Sequence, residues 1–278
     1  ARFVLGKLMV EGTSDKVPKN ENKGLNWIKE AAKHGNVPAL EYKTYWDIRF
    51  DRQPKLDKIT QNLEKIIKAN QSTRALNTLA ELNHATASGS LTNQNPELRA
   101  AAEEKAAQAA KYYQMSSEQG DVVGTHWMGV FYFEGFGVSK NIAKAIDYLV
   151  KASNAGNGQS LYQLFLIHCG KEGMDPKFKN VEAAYGYILR GIKLGVTYFD
   201  EATKFFKDNY DLLAPIYVKQ KNLPVEIKEE TKKDICNMHD AMVNELRIGF
   251  SSALSKDRLY HRPCGFLNDQ QIWMLGVQ

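Results

Sequence analysis

The sequence predicts an all-α protein built from stacked pairs of short antiparallel helices. Apolar and small residues recur at the three- and four-residue spacing of a helix face, and glycines separate the segments that carry them. A glycine that ends one predicted pair is followed four residues later by a small residue that opens the next. These residues are Gly35 and Ala39, Gly120 and Gly124, and Gly156 and Ser160. A spacing that returns at three places indicates an internal repeat.

The clearest repeat unit covers residues 124–157. Its first helix is predicted near residues 122–134, where small and apolar residues share one face. Gly135 and Gly137 end this helix, because glycine readily adopts the positive φ of a C-cap and turn. A second helix is predicted over residues 142–154, where the same helical spacing returns.

Four further units follow this frame less regularly. The predicted units are residues 1–36, 39–72, 75–120, 124–157 and 160–196. The second unit lacks the turn glycines. The third carries an insertion at residues 84–100, whose Ser, Thr, Asn, Gly and Pro content is typical of a loop. The predicted repeat domain therefore covers residues 1–196.

Small residues stand where the helices of these units are expected to touch. They are Gly6, Ala31, Gly129 and Ala152. One helix pair cannot bury its apolar stripe alone, so neighbouring pairs are expected to bury it together. A large side chain at Gly129 is therefore expected to destabilise the fourth unit by overpacking.

The most specific parts of the pattern are GFGV at residues 135–138 and EAAKHGN at residues 30–36. In these segments the sequence resembles the Sel-like repeat family, a branch of the tetratricopeptide-like superfamily. The resemblance covers about residues 1–196. It implies a right-handed α-solenoid that is used for contacts with other proteins.

Residues 197–278 depart from the repeat and are predicted to form capping helices and an apolar tail. Helices are expected over about residues 198–220 and 228–254, the second with a broad apolar stripe. Two interpretations of this stripe stay open, since it can cap the last repeat or dock on a partner. The tail around Trp273 holds apolar residues without regular spacing, which is typical of an interface.

Composition and charge argue against several classes of protein. The net charge of +5 is dispersed, so lysines such as Lys65 and Lys68 are interpreted as solvated helix faces, and no nucleic-acid partner is expected. No apolar run reaches the roughly 18 residues of a membrane-spanning helix, so direct membrane insertion is not expected. Three cysteines do not suggest a secreted disulfide framework. The expected location is intracellular, in the cytoplasm or an organelle such as the mitochondrion.

The sequence contains no recognisable catalytic motif, and we predict a non-enzymatic protein without a cofactor. The weak candidates for metal ligands are Cys236, His239, His261 and Cys264. A Cys and a His three residues apart share a helix face and suit zinc, but the two halves are well separated and the first lies within a predicted helix. Since Cys and His are also common in buried positions, no metal is predicted.

The resemblance places partner binding on a concave face that the first helices of the units line. The candidate residues lie beside the predicted core positions. They are Lys7, Glu11, His126, Val130, Phe133, Glu134, Tyr162 and Leu166, with Trp273 of the tail as a further candidate. The later residues form a largely apolar stripe that suits a bound peptide or helix. The alternative interpretation is that the C-terminal helix covers part of this stripe.

The predicted function is a scaffold or adaptor that binds other proteins, as a subunit or assembly factor of a larger complex. Irregular repeats and an apolar tail favour a fixed subunit, since a lasting partner covers uneven apolar surfaces. Two other classes stay open at this point. One is an enzyme's regulatory subunit or a repeat-built enzyme, and the other is a nucleic-acid binder.

Overall fold

The computed structural model describes residues 1–51, 55–170, 175–194, 205 and 209. Within these residues the backbone forms helices and turns and no strand, which confirms the predicted all-α class. The helices are α1 (Arg2–Glu11), α2 (Glu21–Lys33), α3 (Val37–Phe50), α4 (Leu56–Asn70), α5 (Thr73–Ser88), α6 (Pro96–Glu118), α7 (Val122–Glu134), α8 (Ile142–Asn154), α9 (Gly158–His168) and α10 (Val181–Lys193). A 3₁₀ turn, Pro176–Phe178, precedes α10.

Two compact units divide the chain, and the described residues up to Lys140 belong to the first. In this unit each of the helices α1 to α7 packs against the next, and α5 also touches α7. In the second unit α8 packs against α9, and α9 packs against α10. Neighbouring helices share their apolar surface, as expected for repeated helix pairs. The predicted helices at 122–134 and 142–154 are confirmed, although α7 and α8 fall in different units.

Three junctions between helices share one local geometry. In each, a glycine has positive φ and the Asn or Asp after it caps the next helix. The φ angles of Gly35, Gly120 and Gly156 are 81°, 81° and 93°. The side-chain oxygens of Asn36, Asp121 and Asn157 accept hydrogen bonds from the N–H groups of Ala39, Gly124 and Ser160 at 2.9, 2.9 and 2.8 Å. The recurring glycine-to-small-residue spacing therefore reflects a C-cap followed directly by an N-cap.

The junction between α4 and α5 has the same geometry without a glycine. Gln71 has a φ of 51°, and among the described residues it is the one non-glycine with positive φ. Ser72 caps α5 by accepting a hydrogen bond from the Ala75 N–H at 3.3 Å. The left-handed conformation costs a residue with a Cβ about 1–2 kcal/mol. Packing of the flanking helices therefore holds this turn in a conformation that Gln71 itself disfavours.

Helices α1 and α2 approach closely because each places a glycine at their contact. A Cβ on Gly6 would lie 2.8 Å from the Gly24 carbonyl oxygen, and a Cβ on Gly24 would lie 2.6 Å from the Gly6 carbonyl oxygen. Val10, Ile28 and Ala31 are buried in the core beside this contact. The prediction that Gly6 allows close helix approach is confirmed.

The GFGV turn after α7 packs directly on the backbone of α6. Gly135 ends α7 in the left-handed conformation, and Gly137 also has positive φ. A Cβ on Gly137 would lie 2.1 Å from the Ala106 carbonyl oxygen, so a side chain has no room there. Between the two glycines, Phe136 packs against a buried cluster that includes Ala87. The motif therefore combines a helix stop with a contact that only glycine permits.

The insertion that the sequence predicts as a loop, residues 84–100, is mostly helical. Helix α5 continues to Ser88 and α6 begins at Pro96, so residues 89–95 form the connection. The Ser88 hydroxyl donates a hydrogen bond to the His84 carbonyl oxygen one turn earlier, at 2.8 Å. Through such a bond a helix can accommodate a serine, although serine is typical of loops. The loop-like composition was therefore misleading.

Helix α5 is buried over most of its circumference, including at polar residues. The Asn77 amide donates to the Asp121 carboxylate at 2.9 Å and so ties α5 to the N-cap of α7. On another side, the Tyr45 hydroxyl of α3 lies 3.4 Å from the Thr78 hydroxyl. The Arg74 guanidinium lies 3.6 Å from the Tyr45 ring centroid, and burial raises the pKa of Tyr45 to about 12. Hydrogen bonds as well as apolar contacts therefore position α5.

The second unit is centred on α9. Leu164 of this helix is fully buried. The ring of His168 stacks on Tyr187 of α10 with centroids 5.7 Å apart. The helices and tail predicted for residues 197–278 lie outside the described residues apart from positions 205 and 209.

Candidate functional site

The predicted partner residues of α1 lie on an exposed part of the first unit. Lys7 and Glu11 are both exposed and stand one helical turn apart, with the Lys7 Nζ 3.8 Å from the Glu11 Oε1. An exposed pair of this kind contributes little to stability. Both side chains are accessible to a partner, and their role in binding stays a prediction.

Two predicted partner residues of α7 are buried. His126 and Val130 expose only 3% and 6% of their surface. Burial lowers the pKa of His126 to about 4, so its imidazole is neutral near pH 7. Helices α5 and α6 both pack against α7, which covers more of its circumference than one apolar stripe indicates. The expected accessibility is not met at these two positions, and burial favours a packing role for them.

Phe133 and Glu134 lie at the end of α7, next to the GFGV turn. Phe133 is half-buried, and the Lys140 ammonium lies 5.8 Å from its ring centroid. Glu134 lines an open groove of about 720 Å³ between α6 and the turn, together with Glu103. Partial burial raises the pKa of the Glu134 carboxyl group. This end of α7 therefore keeps some of the accessibility that the sequence predicts.

Tyr162 and Leu166 belong to the second unit and are half-buried on α9. The Tyr162 ring centroid lies 6.3 Å from that of Phe165. The Leu166 carbonyl oxygen accepts a weak hydrogen bond from the Cys169 thiol at 3.4 Å. Since these residues and those of α7 lie in different compact units, a continuous stripe that joins them stays a prediction.

The remaining candidates from the sequence lie outside the described residues. They are Trp273 and the weak metal ligands Cys236, His239, His261 and Cys264. Within the part of the chain that the structure describes, no three His, Cys, Asp or Glu side chains are grouped so that they could hold a metal ion. In that same part, no helix combines the length and the apolar character that crossing a membrane requires.

A row of aromatic side chains on α3 is the surface feature that the sequence interpretation missed. Tyr42, Trp46 and Phe50 follow one another at four-residue spacing and so share one face of the helix. The ring centroids are 6.3 Å apart for Tyr42 and Trp46 and 4.3 Å apart for Trp46 and Phe50. Phe3 of α1 extends the row, with its ring 6.1 Å from that of Tyr42. These four residues are called the aromatic face below.

The aromatic face is open at one end and bordered by charges. Phe50 exposes 55% of its surface, and the Arg49 guanidinium lies 5.3 Å from its ring centroid. Near the other end, the Glu11 carboxylate of α1 neighbours the Tyr42 hydroxyl. Burial and this neighbouring carboxylate raise the pKa of Tyr42. The charged pair of α1 and the aromatic row of α3 therefore form one continuous surface.

The four-residue spacing of positions 42, 46 and 50 is visible in the sequence. The same spacing equally describes a buried stripe, because periodicity identifies a shared face and not its exposure. Moreover, the second predicted unit lacks the turn glycines on which the repeat assignment relied. Only the exposed fraction of Phe50 distinguishes a surface from a core stripe.

Comparison with known proteins identifies the repeat. The Sel1 repeat family matches residues 1–36, 103–121 and 123–157. The chain is similar to the crystal structure of a Sel1 repeat protein from Oxalobacter formigenes, at 20% identity and a TM-score of 0.55, over 76% of this chain and 78% of that one. A second similar structure is c5321, a protective antigen of uropathogenic Escherichia coli strains with an SLR fold, at 15% identity and a TM-score of 0.42, over 76% and 48% of the two chains. A search of the curated proteins found no match.

The matched segments contain the local features described above. The first includes the Gly35–Asn36 junction, and the last includes the GFGV turn. The likeness to the Oxalobacter structure supports the all-α repeat fold. Sel1 repeats generally mediate contacts between proteins, and their fold is typically that of a non-enzymatic scaffold. The chain therefore contains segments that match the Sel1 repeat family, in residues 1–36, 103–121 and 123–157, and its described residues have an all-α repeat fold.

Proposed function

We propose that this chain is a non-catalytic scaffold that binds another protein through the aromatic face of its first unit. The observation that carries the proposal is the exposure of Phe50, which exposes 55% of its surface and whose ring lies 4.3 Å from that of Trp46. Large aromatic side chains dominate the binding energy of many interfaces. Phe3, Tyr42 and Trp46 pack partly buried against the core of the first unit, so Phe50 is the part of the row that is most open to a partner.

The border of the aromatic face defines the partner that suits it. Lys7, Glu11 and Arg49 carry charges of both signs beside the apolar rings. A partner segment with an apolar anchor and polar flanks would bury the rings and keep its own charges solvated at the rim. A helix or extended segment laid along α3 satisfies this requirement.

The proposal extends to a lasting place in a larger assembly, as a subunit or assembly factor. Support comes from the several contact surfaces that the sequence predicts. Phe133 and Glu134, Tyr162 and Leu166, and Trp273 of the tail are the further contacts proposed from the sequence. A fixed partner is the simplest way to cover several such surfaces on one chain.

Site-specific crosslinking tests the proposal. A photoreactive phenylalanine analogue in place of Phe50 should crosslink to a defined partner in the native source. The same analogue in place of Leu98, whose exposed fraction of 50% is similar, is the matched control. Phe50→Asp should abolish the partner's co-purification, and Leu98→Asp should retain it. Identical crosslinks from both positions, or unchanged co-purification with Phe50→Asp, would contradict the proposal.

A further inference from the structure

A basic groove lies between α2, α3 and α4 of the first unit, with a volume of about 480 Å³. Five lysines line it. They are Lys29 and Lys33 of α2, Lys43 of α3, and Lys58 and Lys65 of α4. Among the described residues that line it, Asp47 carries the one carboxylate. We propose that this groove binds an acidic segment of a partner protein, which inserts an apolar side chain between the lysines.

The charges of the groove are only partly neutralised by the protein itself. Lys43 forms an ion pair with Asp47, and Lys33 pairs with Glu30 at 2.6 Å. The other three lysines form no ion pair with any described residue. Several like charges around one concave surface raise the local concentration of an oppositely charged ligand. The groove is therefore complementary to a segment that carries several carboxylates.

The floor of the groove is apolar. Ala32, Val37 and Leu40 line it and are each half-buried, so part of their surface faces the groove. An apolar side chain of the partner would cover this surface and gain binding energy from it. Charge attracts the segment, and the floor then selects for an apolar residue among its carboxylates.

The same lining favours a protein segment over a nucleic acid. None of the described residues that line the groove is an arginine or an aromatic. Sites for single-stranded nucleic acid typically stack bases on aromatic rings, and arginine recognises phosphates and base edges. Lys65, which the sequence analysis interprets as part of a solvated helix face, therefore lies in the wall of this groove.

This inference goes beyond the proposed function, because the groove shares no residue with the aromatic face. The probe is a labelled synthetic helical peptide in which glutamates flank leucines, followed by fluorescence anisotropy. The wild-type protein should bind it, and salt should weaken the binding. Lys58→Glu/Lys65→Glu should weaken binding by about tenfold or more, since like charges are then placed together. Lys16→Glu/Lys111→Glu, two exposed lysines outside the groove, changes the net charge equally and should have little effect.

Other peptides and a nucleic acid complete the test. Replacing the leucines by serine should weaken binding, and replacing the glutamates by lysine should abolish it. Lys58→Gln/Lys65→Gln should show a smaller loss than the glutamate variant, with unchanged circular dichroism. The inference is overturned by absent peptide binding, by equal losses in the groove and control variants, or by tighter binding of a single-stranded oligonucleotide. Phe50→Asp should bind the peptide normally, so failure of the aromatic face and failure of the groove are distinguishable.

Discussion

At the contact between α1 and α2, both helices supply a glycine. At the contacts that α6 makes with α7 and with the turn after α7, the glycines come from α7 and the turn and not from α6. Gly6 and Gly24 face each other's carbonyl oxygens. By contrast, Gly124 of α7 would place a Cβ 2.7 Å from the Tyr113 carbonyl oxygen of α6, and Gly137 of the turn would collide with Ala106. The repeat therefore requires a short distance between backbones, and either side of the contact can provide the small residue.

The two regions also differ in what they bury. No buried residue of α1 or α2, both described in full, has a polar side chain. In the group formed by α5, α6 and α7, the buried residues include Asn77 and His126, and His84 lies against three aromatic rings. One contact thus depends on size alone, and the other depends on size together with polar groups that titrate or form hydrogen bonds.

Gly137→Ala should have the largest effect on stability. The substitution adds a Cβ to a residue with a φ of 65° and places it 2.1 Å from the Ala106 carbonyl oxygen. We expect a loss of about 3 kcal/mol in the free energy of unfolding, from backbone strain and overpacking together. Urea unfolding followed by circular dichroism measures it. Gly35→Ala is the matched control, since its φ is 81° but its Cβ would meet no atom within 4 Å in the part of the chain that the structure describes. Equal losses in the two variants would show that strain alone is responsible.

Gly24→Ala should break the contact in which both helices supply a glycine. Its Cβ would lie 2.6 Å from the Gly6 carbonyl oxygen and 2.7 Å from a methyl group of Val10. Overpacking should lower the free energy of unfolding by about 2 kcal/mol. Gly186→Ala, inside α10, meets no atom of the described residues within 4 Å and should instead raise the free energy of unfolding by about 0.5–1 kcal/mol through helix propensity. A stabilised Gly24→Ala protein would mean that α1 and α2 do not touch at this point.

Lowering the pH should destabilise the group formed by α5, α6 and α7, because this group buries histidine side chains. Burial lowers the pKa of His126 from 6.5 to about 4, and burial also lowers the pKa of His84. Between these values the unfolded chain binds a proton that the folded chain does not, so stability falls as the pH drops below about 6.5. We expect His126 to account for a loss of roughly 1–2 kcal/mol between pH 7 and pH 5.

The measurement is urea unfolding at both pH values for the wild-type protein and for His126→Gln. The variant should be less stable at pH 7 but should lose less stability on acidification. An identical pH dependence in the two proteins would show that His126 is accessible to protons in the folded state.

Gln71→Gly should have the smallest effect, and it should be stabilising. The junction between α4 and α5 uses a left-handed residue without glycine's freedom. Relief of this strain should raise the free energy of unfolding by about 0.5–1 kcal/mol. Gln61→Gly, at an exposed position inside α4, should lower it by about 1 kcal/mol. Thermal melts of the two variants, shifted in opposite directions, would confirm that the repeat junction prefers glycine.

Local features of the fold were predictable because their causes are local. The bounds of α7 and α8 follow from capping residues and glycines within a few positions of each end. The loop predicted at residues 84–100 is shorter in the structure, at residues 89–95, and a non-local cause adds to the local hydrogen bond of Ser88. Ala87 and Ala102 are buried together in one cluster, so packing between α5 and α6 extends both helices through a segment of loop-like composition.

The candidate site was less predictable than the fold. The sequence identified Lys7 and Glu11 on an accessible surface, but it placed His126 and Val130 there as well. It offered no reason to choose the aromatic residues of α3 or to group lysines from three helices around one groove. In both cases the residues are distant in sequence or ambiguous in exposure, and no single-helix pattern relates them.

The sequence by itself determined that the chain forms repeated helix pairs, where the best of these helices begin and end, and which residues share a helix face. Tertiary structure decided which of those faces are covered. Helical periodicity is a property of one segment, whereas burial depends on how many other segments pack around it. Helix α7 has neighbours in both α5 and α6, so Val130 is enclosed, while the end of α3 has none over Phe50 among the described residues, and that ring stays open to solvent.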